Sequence, residues 1–219
     1  MKEAKSSKRK RAAEVVNQLC QAYPDSGCSL EYRSAHEILV ATILSAQCTD
    51  QRVNIVTKSL FLKYTSPEDF AYCNVNELSK DIHSCGYHNQ KARSIKGSSL
   101  KIVEEYDGKV PDNLLDLVKL PGVGRKTANC VLVYGFREPA IPVDVHVHRI
   151  SNRLGLVETE IPEETEIELE KITNRKYWIH VNEYFVRFGQ LICKPINPRC
   201  YECRFQNTCR YLQNKGKKK

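Results

Sequence analysis

The sequence predicts an all-α fold, and three observations carry that expectation. Apolar residues recur at helical spacing, polar caps and prolines mark where the periodic stretches begin and stop, and the single strand-like stretch has no partner strand. Ala12, Val15, Val16 and Leu19 form the stripe of a first helix, which the turn residues Pro24-Asp25-Ser26-Gly27 stop. Ser34-Ala35-His36-Glu37 has the form of a capping box opening the apolar run from Ile38 to Leu44. A helix over 50–63 comes next. Ser66-Pro67 sets an N-cap before a first-turn proline, and a short helix covers 76–82. Ala92, Ile95, Ser99, Ile102, Val103 and Tyr106 mark one face of a long helix after Asn89. Further helices are expected at 112–119, 125–136, 163–173 and 179–192. Ile141, Val143, Val145 and Val147 alternate as a strand would, but Asp144 is a good N-cap and Val147, Ile150 and Leu154 continue at helical spacing. The spacing therefore predicts a loop and then a helix from Asp144.

With 219 residues the chain can bury the core of one large domain or two small ones. Its 41% of apolar and 27% of charged residues are values of a globular protein. A net charge of +8 is compatible with a polyanionic partner but does not separate a DNA-binding protein from a basic enzyme. No stretch approaches a membrane span, and no apolar segment follows the basic residues 2–11, so no signal peptide is expected. Residues 5–11 and 215–219 read as solvated basic tails. Ten cysteines without an export signal argue against a disulfide scaffold. Cys20, Cys28, Cys48, Cys73, Cys85 and Cys130 are scattered and read as packing residues, whereas Cys193, Cys200, Cys203 and Cys209 are bunched.

The most informative segment is Leu120-Pro121-Gly122-Val123-Gly124-Arg125-Lys126-Thr127-Ala128. The residues between the helices expected at 112–119 and 125–136 are too few for anything but a tight turn. Successive glycines permit positive φ and expose backbone N–H groups next to a helix N-terminus, an arrangement that holds phosphate without reading sequence. From Gly-x-Gly alone an ordinary helical corner remains the stronger reading. Lys126 shifts the balance: a cation is disfavoured at a helix start, and burial against DNA would push the amine toward its neutral, nucleophilic form. The competing reading is a solvated lysine on a phosphate. Asp144, 18 residues further on, accepts N–H bonds as an N-cap, and its ionised carboxylate can stabilise positive charge developing at a sugar carbon. A purely structural cap remains the alternative.

Cys193-x6-Cys200-x2-Cys203-x5-Cys209 offers four thiolates in one short loop, a set that both zinc and a [4Fe–4S] cluster accept. Spacing leaves the two open. No flavin or nicotinamide fingerprint accompanies the loop, which favours a structural role. Lys194 and Arg199 lie between the first two cysteines, where they can present charge to phosphates.

Taken together, residues 120–128, the stretch Val143-Asp144-x-His146-Val147-x-Arg149 and the four-cysteine terminus closely resemble the endonuclease III family of DNA base-excision glycosylases, over roughly Ser34 to Cys209. The resemblance implies two helical lobes with DNA and the lesion pocket between them. One is a six-helix barrel with the hairpin, over 28–138. The other joins 1–27 to 139–219 and carries a [4Fe–4S] cluster on the four cysteines. It implies that Lys126 is the nucleophile and Asp144 its carboxylate partner. The activity implied is excision of oxidised or ring-saturated pyrimidines, and nicking at abasic sites, in double-stranded DNA by a monomer with no membrane association. Gly122, Val123, Gly124 and Arg125 of the hairpin, with His146, Lys194 and Arg199, are then expected to contact DNA. Gln47, within Ser45-Ala46-Gln47-x-Thr49-Asp50, and Tyr87, within Cys85-Gly86-Tyr87-His88-Asn89, correspond to residues that fill the gap left by a flipped nucleotide. Relatives more often carry a larger aliphatic residue where Cys85 stands, which bears on opposite-base preference. The rivals are a monofunctional adenine or mismatch-thymine glycosylase, which typically lacks the lysine and has Asn at the place of His146, and a non-catalytic hairpin protein. A compact chain fits a prokaryotic, cytoplasmic and nucleoid-associated enzyme; a eukaryotic one would be nuclear.

Overall fold

A computed structural model describes the backbone of residues 5–216 and the side chains of 6–214. Among these residues every regular element is helical and no strand occurs. No helix among them is long and apolar enough to cross a membrane. The chain divides into two compact units, one of residues 28–140 and one joining the described residues up to Gly27 to those from Ile141 onward.

At the centre of the 28–140 unit lies the helix Ala35–Ser45, in which every residue from Ile38 to Leu44 is buried. A helix apolar on all sides has to be surrounded by others, and Asp50–Lys63, His88–Glu105 and the helix that starts at Arg125 pack against it. The Ser34 hydroxyl accepts the Glu37 N–H at 3.1 Å as the capping pattern predicts, but the Glu37 carboxylate turns to the Arg33 N–H at 2.6 Å, so the box is only half made. The complete box forms at Pro67–Tyr72, where Ser66 and Asp69 satisfy each other's N–H groups. Val75–Asp81 and a 3-10 turn, His83–Cys85, lead into His88–Glu105. The helix expected at 112–119 shrinks to the single turn Leu114–Leu117, capped by Asn113. The one expected at 125–136 is α-helical only over Arg125–Cys130 and widens to π over Val131–Phe136.

In the other unit, Lys5–Ala22, Val145–Leu154, Pro162–Ile172 and Trp178–Leu191 enclose a core of Val15, Leu19, Val147, Ile150, Leu169, Phe185 and Phe188. Phe205 of the cysteine loop enters this core edge-on to Phe188, at 5.6 Å between ring centroids. A last helix, Arg210–Gly216, was not expected. Residues 5–11, expected as a solvated tail, are the start of the first helix, with Ser6, Ser7, Arg9 and Lys10 exposed. Arg9 donates to the Lys171 carbonyl at 3.2 Å and Arg11 to those of Gly155 and Leu154 at 3.2 and 3.5 Å. These carbonyls close two helices, whose C-terminal ends attract cations. Of the expected C-terminal tail, 215–216 close the last helix and Lys217–Lys219 lie outside the described residues, as do Met1–Ala4. Cys85 and Cys130 are buried as packing cysteines should be, but Cys20 is exposed, its sulfur accepting the Tyr184 hydroxyl at 3.2 Å.

Candidate functional site

The hairpin is built on a face of small residues. We number the helices that bear on the site: α1 is His88–Glu105, α2 is the helix from Arg125, α3 is Val145–Leu154. Pro121 rests on α1, with the Ser98 hydroxyl donating to its carbonyl at 2.5 Å and Gly97 leaving room for its ring. Leu120 and Val123 are buried, and the Val123 N–H closes the turn on the Leu120 carbonyl at 3.1 Å. The Val123 side chain is therefore an anchor, and only the backbone around it is available to a ligand. The two glycines do different things. Gly122 has φ +76°, and a Cβ there would stand 2.5 Å from Ser94 Cβ and 2.6 Å from its Oγ. Gly124 is extended, with φ −90° and ψ 175°, and a Cβ there would meet nothing within 4 Å. Both glycines permit positive φ; Gly122 uses it, and Gly124 leaves an open face over the start of α2. Arg125 and Lys126, the first residues of α2, are exposed.

Asp144 caps α3 as expected. Its Oδ1 accepts the N–H groups of His146 and Val147, each at 2.9 Å, so the cap occupies one carboxylate oxygen. The strand-like alternation at 141–147 has a mundane origin: Ile141, Val143 and Val147 are buried, while Val145, first residue of α3, is 70% exposed. His146 lies half-buried, its Nδ1 3.1 Å from an Arg149 guanidinium nitrogen. A guanidinium only donates, so Nδ1 accepts and the ring proton sits on Nε2. Burial first of all, then Arg149, holds His146 below the usual histidine pKa against the raising effect of Asp144.

Arg149 and Arg153, one turn apart on α3, both reach the cysteine loop. Arg149 donates to the Cys193 carbonyl at 3.0 Å. Arg153 donates to the carbonyls of Lys194 and Pro195 at 2.7 and 2.8 Å, approaches Cys193 Sγ at 3.5 Å and stacks on Tyr211. Cys193, Cys200, Cys203 and Cys209 line one pocket together with Leu154, Phe188, Ile192 and Tyr211. Burial raises the thiol pKa of Cys203 and Cys209; Cys203 also senses the other three cysteines, and Cys209 senses Cys193 and Cys200. Among the described residues no three His, Cys, Asp or Glu side chains form a metal-ion cage. The four sulfurs thus share an apolar pocket without converging as single-ion ligands. The donor set, four soft cysteine sulfurs of which Cys203 and Cys209 are buried, fits an iron–sulfur group. Lys194 is half-buried; Arg199 is exposed and pairs with Glu202 at 3.7 Å. Ile196 and Tyr201 of this loop are highly exposed, a display that sequence reasoning did not single out.

Gln47 and Tyr87 are both exposed and both adopt left-handed backbone, with φ +52° and +47°. Neither is glycine, so each is held in a strained conformation, which Asp107, Arg137 and Asn197 also adopt. They lie in the 28–140 unit together with Lys126, whereas Asp144, His146 and the cysteines belong to the other.

Residues 40–175 match the model of the HhH-GPD superfamily of base excision DNA repair proteins. Endonuclease III of Thermotoga maritima is 47% identical over 180 residues, covering 82% of this chain and 84% of that protein. Endonuclease III of Synechocystis is 43% identical over 205 residues, covering 93% and 94%. A solved structure of a trapped endonuclease III–DNA covalent intermediate is 39% identical with a TM-score of 0.89, covering 95% of this chain and 98% of that one. The chain belongs to the endonuclease III family, within the HhH-GPD superfamily of base excision DNA repair proteins.

Proposed function

We propose that the protein is a bifunctional DNA N-glycosylase and AP lyase of base excision repair, acting as a monomer on duplex DNA with oxidised or ring-saturated pyrimidines or abasic sites. The observation that carries this reading is the exposed Lys126, two residues after a glycine turn whose last glycine has an open face. The relative trapped as a covalent intermediate on DNA supports a covalent step in this chain.

In this reading the backbone N–H groups around Gly122 and Gly124 hold a phosphate beside the lesion. Arg125, Lys194 and Arg199 add charge toward the backbone, Arg199 in competition with Glu202. The damaged nucleotide leaves the stack; the Gln47 amide meets the orphaned base and the Tyr87 ring fills the gap. Because Lys126 is exposed in the DNA-free chain, its desolvation comes from the substrate, and the N-terminal end of α2 opposes its charge in the same direction. The neutral amine attacks C1′, and the base departs with the electron pair of the glycosidic bond. Asp144 stabilises the positive charge at the sugar, with one oxygen fixed by the cap, while His146 presents Nε2–H to the DNA. Loss of an amine proton and breakage of the C1′–O4′ bond, with O4′ taking up a proton, open the sugar to the Schiff base; loss of a C2′ proton then expels the 3′ phosphate and nicks the strand.

Cys193, Cys200, Cys203 and Cys209 are the residues that would hold a [4Fe–4S] cluster. Such a cluster would cross-link the loop, and Arg149 and Arg153 of α3 hold the loop's carbonyls beside it. Visible absorbance and about four irons per chain are expected; stoichiometric zinc would refute the assignment.

The decisive experiment treats the protein with borohydride in the presence of duplex carrying thymine glycol or an abasic site. A covalent adduct is expected, absent in Lys126→Ala. No adduct from the wild type refutes the lyase step, and base release without an adduct assigns the protein to the monofunctional branch.

A further inference from the structure

Lys91 is the one buried lysine among the described residues, only 5% exposed. It stands in the first turn of α1 and donates to the Leu44 carbonyl at 2.7 Å and the Cys85 carbonyl at 2.8 Å. Those two carbonyls close different elements: Leu44 lies in the last turn of Ala35–Ser45, and Cys85 ends the 3-10 turn. Carbonyls at such ends have no partner within their own helix and carry the negative end of its dipole. One ammonium serves both.

What leaves each capped end gives the arrangement its meaning. Three residues beyond Leu44 the chain presents Gln47, and two beyond Cys85 it presents Tyr87, both exposed and both at positive φ. The Cys48 thiol acts electrostatically on the Cys85 thiol, so the two segments also sense each other directly. Burial, with Cys48 as the next cause, pushes the Cys85 thiol up to about 11, which keeps it neutral. Burial also lowers the Lys91 amine below the usual lysine value, partly offset by the two thiols. An apolar side chain would fill the same space without that desolvation, so the charge is there for the two carbonyls.

We propose that Lys91 is a positioning residue for gap filling: it locks the ends from which Gln47 and Tyr87 project, so that both enter the duplex as one preorganised unit. This rests on the proposed function above, in which those two side chains replace the flipped nucleotide. Lys91 itself touches neither DNA nor the reacting atoms. Its contribution is to keep two strained backbone segments in register before DNA arrives, when the duplex has to be opened.

The test separates base flipping from chemistry. Lys91→Met, and Lys91→Gln in case the first does not accumulate as folded protein, are compared with the wild type on two substrates. One is duplex with a ring-saturated pyrimidine; the other is a single-stranded oligonucleotide with an abasic site, which needs no gap filled. The ratio of duplex excision to single-strand nicking is expected to fall about tenfold or more. The fluorescence rise of 2-aminopurine placed beside the lesion, which reports unstacking, falls with it. Equal losses on both substrates would overturn the proposal, because they mark a merely structural lysine. A Gln47→Ala/Tyr87→Ala double variant is measured in parallel. If it excises from duplex as well as the wild type, the gap-filling reading falls and takes the proposal with it. If it is impaired while Lys91→Met behaves as wild type, the positioning role alone is overturned. Adding Lys91→Met to the double variant is expected to change little, because the side chains Lys91 would position are already gone.

Discussion

Gly122 and Gly124 look interchangeable in the sequence, yet replacing each by alanine should break the protein in different ways. At Gly122 alanine must adopt φ +76°, which costs about 1–2 kcal/mol for an L-residue. Its Cβ would also stand 2.5 Å from Ser94 Cβ, an atom fixed to α1 by its own backbone, so hairpin and helix must separate. Overpacking of that kind adds about 1–3 kcal/mol, and the sum of about 2–5 kcal/mol is a large fraction of a domain's stability. At Gly124 the backbone is extended and the Cβ position is empty, so Gly124→Ala should leave stability within about 1 kcal/mol of wild type. If a phosphate occupies that open face, however, a methyl group displaces it. Losing a hydrogen bond to a charged group, about 1.5–3 kcal/mol, weakens binding about ten- to hundredfold, and the salt slope falls by about one phosphate. Denaturant midpoints and binding to abasic-site duplex at two salt concentrations measure both effects. A wild-type midpoint for Gly122→Ala refutes the strain argument. Wild-type affinity and salt slope for Gly124→Ala refute the placement of the phosphate.

Asp144→Asn keeps an oxygen for the α3 cap but loses the charge, so base excision should fall about a hundredfold or more with little loss of stability, whereas Asp144→Ala adds about 1 kcal/mol of destabilisation. Single-turnover excision and thermal melts separate the two; equal excision by Asp144→Asn and wild type would make the residue a cap only. His36, bonded to Ser99 at 2.9 Å and buried against Phe70, has its pKa lowered to about 4 by burial, with Glu37 and Glu68 opposing. Its folded pKa lies below the unfolded one, so its contribution is complete above about pH 6.5 and is lost as pH falls toward 4; between about pH 7.5 and 5 the loss is about 2 kcal/mol. Urea unfolding across that range should show the slope, and His36→Gln should flatten it. Arg153→Met removes the donors that hold Lys194 and Pro195, so iron should be lost faster to a chelator; unchanged iron retention would show that the cysteine loop is held without α3.

What was legible in the sequence was chemistry that stays within a few residues. Asp144 was readable as a cap because its acceptors are the N–H groups two and three residues on, and the same holds for Ser66 with Asp69. The hairpin was readable as a turn, but which glycine needs positive φ depends on Ser94, a neighbour from another helix. The four cysteines were readable as one site because they share a loop, while Arg149 and Arg153, which bind that loop, lie 44 and 41 residues from their carbonyl partners. Lysines and arginines were the residues misjudged most. A cation read locally is a solvated charge, as 5–11 was read, and nothing in the residues around Lys91 marks it as buried. In the structure Arg9, Arg11, Lys91, Arg149 and Arg153 all donate to carbonyls, several of them at helix ends. A protein made only of helices joined by short loops has many such ends, each with carbonyls that its own helix cannot satisfy. Its basic residues therefore divide between those that meet phosphate and those that close helices. A net charge of +8 overstates the charge offered to DNA, because part of it already faces backbone oxygen.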